Sequence, residues 1–333
     1  MNSIKAMVVA GTASGATIQQ RELGAPVRNA GQVLIGVRAA SVNRADLAVR
    51  AGTHVSADAT AGPTVVGLDC AGVVLDADAD SGLATGDRVM TMAGGGLAEQ
   101  VVVDARMPIR LPDSWSFEMG AAAVLALMTG HNALRTAGRL VPGESVLVNA
   151  ARSGVGQATI RIANELGAGR VIAAVRSLRD EDFLTELGAD IVVDTGSGGF
   201  AEAVLAATDG RGVDVIVDHV GGPYLADHVK AAALKGRIVG VGRLGGAEGT
   251  LDMETLAVKR LELVGVTFRT RDADEKAAIA AGVRADLIEA LSEGRLDPRI
   301  DRVLPWTEVL GAQDVVASDA HLGKIVLRVS ADA

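Results

Sequence analysis

The sequence predicts an α/β protein of two domains, in which an irregular, mostly β region precedes a doubly wound sheet of six parallel strands. Two observations predict this fold class. Over the first 110 residues, short β-branched runs alternate with Gly and Pro, as in strands joined by turns. From Ser145 onward, short apolar runs are separated by stretches long enough for helices, which indicates βαβ units and a parallel sheet.

The first domain is predicted over residues 1–121. A short helix is expected to begin after Asn43. Two late runs, at residues 301–306 and 323–327, are interpreted as strands that return to this domain, so residues 294–333 complete it. Its other strands are expected where β-branched runs are bounded by Gly or Pro, at residues 32–38, 65–75, 87–92 and 99–103.

The second domain is predicted over residues 122–293, and its six apolar runs match the strand count of a complete dinucleotide-binding sheet. Helices are expected at residues 155–166 and 224–234, because a glycine closely follows each of these apolar-periodic stretches. A longer helix is expected at residues 274–292. The six runs lie at residues 145–150, 171–175, 191–193, 213–218, 237–241 and 262–268.

Composition narrows the classes of protein that this chain can be. Its 333 residues exceed the roughly 100 to 200 of one typical domain, and 49% are hydrophobic, enough for large cores. A net charge of −9 repels phosphate backbones and anionic lipids, and only 2% of residues are aromatic, so neither nucleic acid nor membrane is an expected partner.

The one cysteine, Cys70, excludes a disulfide framework and is interpreted as a small buried residue. With no signal segment or anchor evident, we expect a cytoplasmic protein.

The turn after the first apolar run of the second domain is the predicted phosphate site. There the chain enters a helix, whose N–H groups and positive end favour a pyrophosphate. Of the three glycines in the dinucleotide pattern only Gly156 is present, with Ala151 and Ser153 as small substitutes. The motif alone is more typical of an ordinary βα turn, and the six strands in sequence are what favour a cofactor. The predicted contacts are Ser153, Gly154, Val155 and Gly156.

The identity of the dinucleotide is predicted from the residue about 20 positions beyond this turn, where an acidic side chain would bind the ribose 2′-hydroxyl of NAD. Arg176 stands there instead, followed by Ser177 and Arg179. Because a guanidinium binds phosphate through paired, charge-assisted hydrogen bonds, this segment favours NADP(H). The alternative is that both arginines are solvated residues of a surface loop next to the acidic stretch at residues 180–182.

Motifs along nearly the whole chain carry a resemblance to a known family. They are SVNRAD (41–46), GLDCAGVV (67–74), GDRV (86–89), AAAVLALMT (121–129), SGVG (153–156), LGAD (187–190) and GKIV (323–326). In their order and spacing, the chain resembles the medium-chain dehydrogenase/reductases, and within them the zinc-free quinone oxidoreductases. NRADL (43–47), VGGPY (220–224) and RTRD (269–272) are most similar to the stress-induced NADPH quinone oxidoreductases.

The resemblance implies a GroES-like catalytic domain and a Rossmann domain, with substrate bound between them. It implies hydride transfer from NADPH to a small-molecule electron acceptor, a quinone or an activated C=C or carbonyl compound. It also implies a homodimer joined through the last strand of the Rossmann sheet.

A zinc-independent reaction is expected from the same resemblance. Zinc-dependent relatives have a cysteine where this chain has Asn43 and a His-Glu pair where it has Leu68 and Asp69, and they carry a four-cysteine lobe. The five histidines show no close metal-ligand spacing, so we expect no bound metal. A quinone or an activated C=C bond can be reduced without a metal, because the acceptor itself delocalises negative charge and needs mainly positioning and a proton.

Asn43, Asp46 and His54 are the predicted catalytic residues. The resemblance implies that their loop closes over the nicotinamide ribose, with Asn43 donating a hydrogen bond to the acceptor oxygen and Asp46 holding the loop. By spacing alone, Asn43 and Asp46 fit equally well as the N-cap and N3 residues of a short helix. His54 stands where relatives often carry a tyrosine, so it is a candidate general acid, and a solvated loop histidine with water as the proton source is the alternative.

The remaining predicted cofactor contacts lie near the ends of strands or helices. The resemblance places Thr129 at the nicotinamide ribose or its phosphate, and a helix threonine bonded to its own preceding turn is the alternative. Lys324 either reaches the cofactor or is an ordinary charged strand residue. Open α/β sheets bind ligands beyond the carboxyl ends of their strands, although glycines there also serve turns alone. The contacts predicted on this basis are His219, Val220, Val241, Gly242, Phe268, Arg269 and Thr270.

Two classes of function are open at this point. The first is an NADPH-dependent reductase of quinones or α,β-unsaturated carbonyls, with enoyl and alkenal reductases of the same superfamily as close variants. The second is a non-catalytic NADPH-binding protein, such as a sensor or a lens-type or RNA-associated relative of the same fold. Loss of NADPH absorbance with a panel of quinones distinguishes the two classes.

Overall fold

The computed structural model describes residues 2–11, 16–52, 63–196 and 198–329. The chain divides into two compact units. The first comprises Met1–Leu125 with Phe268–Ala333, and the second comprises Ala126–Thr267. Across the described ranges, no helix is both long enough and apolar enough to cross a membrane.

Strands and helices of the described residues are numbered in chain order. The strands are β1 (Ser3–Ala10), β2 (Thr17–Gly24), β3 (Gln32–Val42), β4 (Asp69–Ala77), β5 (Arg88–Met92), β6 (Gln100–Asp104), β7 (Ile109–Arg110), β8 (Ser145–Asn149), β9 (Arg170–Val175), β10 (Ile191–Asp194), β11 (Val213–Asp218), β12 (Ala232–Gly240), β13 (Glu262–Gly265), β14 (Ile300–Pro305) and β15 (Lys324–Arg328). The α-helices are α1 (Arg44–Arg50), α2 (Phe117–His131), α3 (Gly154–Glu165), α4 (Glu181–Glu186), α5 (Ala201–Ala207), α6 (Leu225–Ala231), α7 (Met253–Lys259), α8 (Ala273–Ser292) and α9 (Val309–Ala317).

The first unit is mostly β, as predicted. Its main sheet has the strand order β14-β15-β3-β4-β5-β7, with β6 also paired to β3. Both late strands, β14 and β15, therefore belong to this sheet. The strand predicted at residues 65–75 is displaced, because Gly67 adopts a φ of +99° and Val65 makes only an isolated bridge to Val8. Cys70, in β4, is fully buried, and burial raises the pKa of its thiol.

Helix α8 belongs to the first unit, whereas the sequence pattern assigns it to the cofactor-binding domain. Arg284 on this helix donates hydrogen bonds to the carbonyl oxygens of Arg106 at 2.9 Å and Pro108 at 3.0 Å. Arg106 also pairs with Asp274 at 2.7 Å. These contacts tie α8 to the segment after β6, and the domain limits of 121 and 293 stay a prediction.

The second unit is a parallel, six-stranded sheet of the Rossmann type, which confirms the predicted fold class. Its strand order is β10-β9-β8-β11-β12-β13, and every neighbouring pair is parallel. Val146, Leu147 and Val148 in β8 are fully buried, as expected for strands covered on both faces. Chain order reverses between β8 and β11, which creates a topological switch point at their carboxyl ends.

Two elements of this unit are shorter than predicted. The helix expected at residues 224–234 ends early, because β12 begins at Ala232, where it pairs with Val213 of β11. The strand expected at residues 262–268 ends at Gly265, because Gly240, opposite it, is the last residue of β12. Among the described residues, no strand pairs with the chain beyond these two positions.

Candidate active site and cofactor site

Five polar side chains form a buried cluster in the first unit, which we call the Asn43 cluster. None of them is more than 7% exposed. The end of β3, the start of α1 and the first residues of β4 and β15 bring them together. The members of the cluster are Ser41, Asn43, Asp46, Asp69 and Lys324.

The carboxamide of Asn43 is hydrogen-bonded on both sides. Its Nδ2 donates to Oδ2 of Asp69 at 2.8 Å, and its Oδ1 accepts from Nζ of Lys324 at 2.5 Å. Ser41 donates to the same carboxylate, through its N–H at 2.8 Å and its hydroxyl at 2.7 Å. Lys324 is thus a buried partner of Asn43, and its contact with a cofactor stays a prediction. Sequence reasoning missed Asp69 as a site residue, although it stands in the His-Glu position of zinc-dependent relatives.

Asp46 lies beside Asn43 at the start of α1. Its Oδ2 accepts the N–H of Asn43 at 2.7 Å, so the contact expected between N-cap and N3 residues is present. Its Oδ1 is buried and has no hydrogen-bond partner among the described residues. Burial, reinforced by the charge of Asp69, raises the pKa of Asp46 to about 7. Burial also lowers the pKa of Lys324, an effect that Asp69 and Asp46 oppose. The cluster therefore contains a carboxyl group that exchanges its proton near neutral pH.

Two predictions for the first unit stay open. His54 lies outside the described residues, so its role as general acid stays a prediction. The hydrogen bond from Asn43 to an acceptor oxygen is likewise still a prediction. Within the described ranges, no group of three or more His, Cys, Asp or Glu side chains could hold a metal ion.

The turn between β8 and α3 is closely packed. Ser153 is the N-cap of α3, and its hydroxyl oxygen accepts the N–H of Gly156 at 3.0 Å. A Cβ on Gly156 would lie 2.5 Å from the carbonyl oxygen of Ala150. Only glycine therefore allows α3 to start so close to the strand end. The N–H groups of Gly154 and Val155 have no carbonyl partner within the helix and stand at its positive end, where an anion binds.

The predicted 2′-phosphate segment lies at the same carboxyl edge of the sheet. Arg176 directly follows β9, and Ser177 and Arg179 come next in the chain; all three are exposed. A Cβ on Gly196 would lie 2.5 Å from the carbonyl oxygen of Arg176. The segments after β9 and β10 therefore meet closely, which fixes the backbone that carries Arg176.

The ends of β11 and β12 meet at this edge too. The N–H groups of Val241 and Gly242 donate to the carbonyl oxygen of Asp218 at 2.7 and 3.0 Å. A Cβ on Gly242 would lie 2.3 Å from the carbonyl oxygen of His219. His219, Val220, Val241 and Gly242 are therefore brought together, and their contact with a cofactor stays a prediction.

The other predicted cofactor contacts do not belong to the strand ends described above. Thr129 is buried near the carboxyl end of α2. Phe268, Arg269 and Thr270 do not end a strand, because β13 stops at Gly265; they follow it in a bend and turn that belong to the first unit. The contacts of these four residues with a cofactor stay predictions.

Sequence reasoning also missed a buried network at the switch point, formed by Asn149, Asp218 and His228. Asn149 donates to Asp218 at 2.9 Å, and its amide nitrogen lies 2.9 Å from Nε2 of His228. A signal for two of them was available, since Asn149 is the one polar residue near the end of the run at 145–150 and Asp218 ends the run at 213–218. His228 on α6 has no such signal.

A doubly wound sheet with a phosphate turn at its edge, in one chain with a mostly β unit, defines a dinucleotide-binding protein of the dehydrogenase class. Residues 29–113 match the family model described as alcohol dehydrogenase GroES-like domain, and residues 154–283 match the one described as zinc-binding dehydrogenase. The crystal structure of a probable oxidoreductase from Mycobacterium abscessus is 30% identical, with a TM-score of 0.79 over 98% of this chain and 99% of that chain. The chain belongs to the medium-chain dehydrogenase/reductase family of oxidoreductases.

Three further proteins illustrate the range of similar chains. A mycobacterial protein solved in complex with NADPH is 26% identical, with a TM-score of 0.83 over 98% of this chain and 99% of that chain. Quinone oxidoreductase-like protein 2 from Bos taurus is 29% identical over 89% of this chain and 84% of that protein. The type I polyketide synthase Pks15/1 of phenolphthiocerol synthesis from Mycobacterium marinum is 32% identical over 92% of this chain. The chain spans 14% of the length of that synthase.

Proposed function

We propose that this protein is a zinc-independent reductase that transfers hydride from NADPH to a quinone or to an activated C=C or carbonyl acceptor. One observation carries the proposal: exposed Arg176 and Arg179 stand at the edge of the sheet that also holds the phosphate turn. We further propose that it acts in the cytoplasm on a small-molecule acceptor.

The second unit fits a dinucleotide in two places. At the phosphate turn, the N–H groups of Gly154 and Val155 would bind the pyrophosphate, and Gly156 leaves no room for a side chain between helix and strand. At the end of β9, Arg176 and Arg179 would bind a 2′-phosphate through charge-assisted hydrogen bonds. When bound, NADPH supplies the hydride. A similar mycobacterial chain solved with NADPH supports this choice of cofactor.

The Asn43 cluster supports a reaction without zinc. At the position where zinc-dependent relatives have a cysteine, the Asn43 amide is held between Asp69 and the ammonium group of Lys324. Asp46 binds the backbone of the same residue, so the loop that carries Asn43 is held at two points. An acceptor that delocalises negative charge needs such a positioned donor more than it needs a Lewis acid. Similarity to a quinone oxidoreductase-like protein supports the acceptor class.

Cofactor choice is tested by titrating the protein with NADPH and NADH. We expect tighter binding of NADPH. Removing one charge-assisted partner costs about 1.5 to 3 kcal/mol, so Arg176→Ala should weaken NADPH about tenfold or more and spare NADH. Arg211→Ala is the matched control, because Arg211 precedes β11 at the opposite edge of the sheet, where it pairs with Asp214 at 2.9 Å. It should change neither affinity.

Catalysis is tested by loss of NADPH absorbance in the presence of quinones and α,β-unsaturated aldehydes. Turnover of at least one acceptor class is expected.

The two tests can contradict the proposal in different ways. Equal affinities of the parent protein for both dinucleotides would contradict the assignment of NADPH. Tight binding without oxidation by any acceptor would instead favour the non-catalytic NADPH-binding protein.

A further inference from the structure

The buried network at the switch point, which we call the Asn149 network, consists of Asn149, Asp218 and His228. Asn149 ends β8 and Asp218 ends β11, the neighbouring strands between which chain order reverses. All three side chains are at most 4% exposed. Buried polar groups are unfavourable unless they are hydrogen-bonded, so the partners of each atom show what the network holds in place.

Each polar atom of the Asn149 side chain has a partner. Oδ1 accepts the N–H of His219 at 2.7 Å, and Nδ2 donates to Oδ1 of Asp218 at 2.9 Å. Nδ2 also lies 2.9 Å from Nε2 of His228. Reversing the amide would set Nδ2 against the N–H of His219, two donors face to face, so this orientation is fixed.

The orientation of Asn149 also fixes the tautomer of His228. Since Nδ2 can only donate, Nε2 of His228 must accept and carries no proton. The ring proton is then on Nδ1, which lies 3.6 Å from Oδ2 of Asp218, an electrostatic contact that is too long for a hydrogen bond. Burial lowers the pKa of His228, against the opposing charges of Asp218 and Asp227, which agrees with a neutral ring. The rings of Phe200 and Tyr224 pack edge-on against it.

The network holds the turn that follows β11. Oδ1 of Asp218 accepts the N–H groups of Val220 at 2.8 Å and Gly221 at 3.0 Å. Together with the bond from His219 to Asn149, three consecutive N–H groups are bound by two buried side chains. These hydrogen bonds from buried side chains therefore fix the backbone of the turn.

One ring nitrogen of His219, Nε2, is the polar atom of this turn that is left without a partner among the described residues. The residue is 5% exposed, and its Nε2 is buried with no hydrogen-bond partner in the described part of the chain. Burial lowers its pKa to about 4, so the ring is neutral at neutral pH and one of its nitrogens can accept a hydrogen bond. A buried polar atom without a partner is unfavourable, and a bound ligand would remove that cost.

The arrangement of the sheet indicates which ligand group lies nearby. A doubly wound sheet consists of two mononucleotide-binding halves. The half formed by β8, β9 and β10 carries the phosphate turn and Arg176, so under the proposed function it takes the adenosine half of NADPH. His219 follows the first strand of the other half, which leaves the nicotinamide half of the cofactor for it.

We propose that the Asn149 network positions His219, and that Nε2 of His219 hydrogen-bonds to the nicotinamide riboside of the cofactor. The inference rests on the proposed function and assigns these residues to one part of the same site. His219 would touch the cofactor, whereas Asn149, Asp218 and His228 are positioning residues.

The test compares NADPH with adenosine 2′,5′-bisphosphate, which contains only the adenosine half, by calorimetric titration of the full chain. His219→Leu should weaken NADPH about tenfold and leave the bisphosphate unchanged. His228→Leu should do the same through loss of the acceptor for Asn149. His228→Gln should restore NADPH affinity, because the side-chain oxygen of glutamine can accept that bond. Thermal melting curves show whether each variant is folded at the titration temperature.

The outcomes separate this inference from the proposed function. Unchanged NADPH affinity in His219→Leu overturns the contact. Lower thermal stability of His228→Leu with the parental ratio of the two affinities overturns the positioning role. A parent that prefers NADH contradicts only the choice of NADPH, and His219→Leu must then weaken NADH while sparing ADP. A parent that binds neither dinucleotide contradicts both proposals.

Discussion

Substitution of Gly156 by alanine tests how closely the phosphate turn is packed. The new Cβ would lie 2.5 Å from the carbonyl oxygen of Ala150, and 2.8 and 2.9 Å from Cα and the carbonyl oxygen of Ala151. Ordinary contacts begin at 3.4 Å, so the closest pair must separate by about 0.9 Å, the difference between 3.4 and 2.5 Å. All three atoms belong to the backbone, so the turn or the start of α3 must move.

Two contributions of opposite sign set the expected change in stability. Alanine is favoured over glycine inside a helix by about 0.5–1 kcal/mol. Overpacking a site that cannot relax costs about 1–3 kcal/mol. The difference between these contributions is a fall in the free energy of unfolding of up to about 2.5 kcal/mol. Because Gly154 and Val155 move with the turn, NADPH affinity should fall about tenfold or more, which corresponds to about 1.4 kcal/mol.

Urea unfolding measures the first quantity and NADPH titration the second. Gly311→Ala is the matched control, since Gly311 is an exposed glycine in α9 and a Cβ there would meet nothing within 4 Å. The free energy of unfolding of this variant should rise by about 0.5–1 kcal/mol, and its affinity for NADPH should equal that of the parent. A Gly156→Ala protein that gains stability in the same way and keeps its NADPH affinity would refute the close packing of the turn.

Three further predictions concern protons, metal and assembly. The pKa of Asp46 is about 7 in the folded chain against a reference of 3.8, so folding favours its protonated form, and its contribution to stability is lost as pH rises through this range. In urea unfolding, the free energy of unfolding of Asp46→Asn, relative to that of the parent, should therefore rise by about 1 kcal/mol per pH unit between pH 4 and 7. A difference between the two proteins that does not change with pH contradicts the raised pKa. Chelator treatment should leave reductase activity intact, whereas one zinc per purified chain would contradict the zinc-independent reaction. Among the described strands, β13 pairs with β12 alone, and Leu263 on it is 44% exposed. Sedimentation at micromolar concentration should therefore give a dimer that Val264→Pro weakens, and a monomeric parent contradicts this.

The second unit was more predictable than the first because its strands are buried on both faces. Such strands appear in the sequence as continuous apolar runs, and their ends are marked by glycine. In the first unit, by contrast, residues 65–68 are as β-branched and apolar as the strand that follows them. The positive φ of Gly67 separates the two segments, and a backbone angle of this kind is not visible in a hydrophobic pattern.

The candidate site was predictable only where its residues are local or lie in a family motif. Ser153 and Gly156 are three residues apart, and their contact follows from helix capping. Asn43 and Lys324 are separated by 281 positions, and Asn149 and Asp218 by 69. Sheet pairing brings both pairs together, and no spacing rule connects residues across such separations. For this reason the Asn43 cluster was recognised in part, through its resemblance to relatives, and the Asn149 network was missed.

The buried thiol of Cys70 gives the chain an intrinsic reporter of local opening. It is the only cysteine in the sequence, and it follows Asp69 directly in β4, which pairs with β3 and β5. The thiolate attacks a thiol reagent, so the reaction can occur only after β4 has separated from its neighbours and the side chain is in contact with water. The labelling rate therefore measures the free energy of opening the strand that holds Asn43 through Asp69. Its change on cofactor binding would show whether ligand in one unit stabilises the polar cluster of the other.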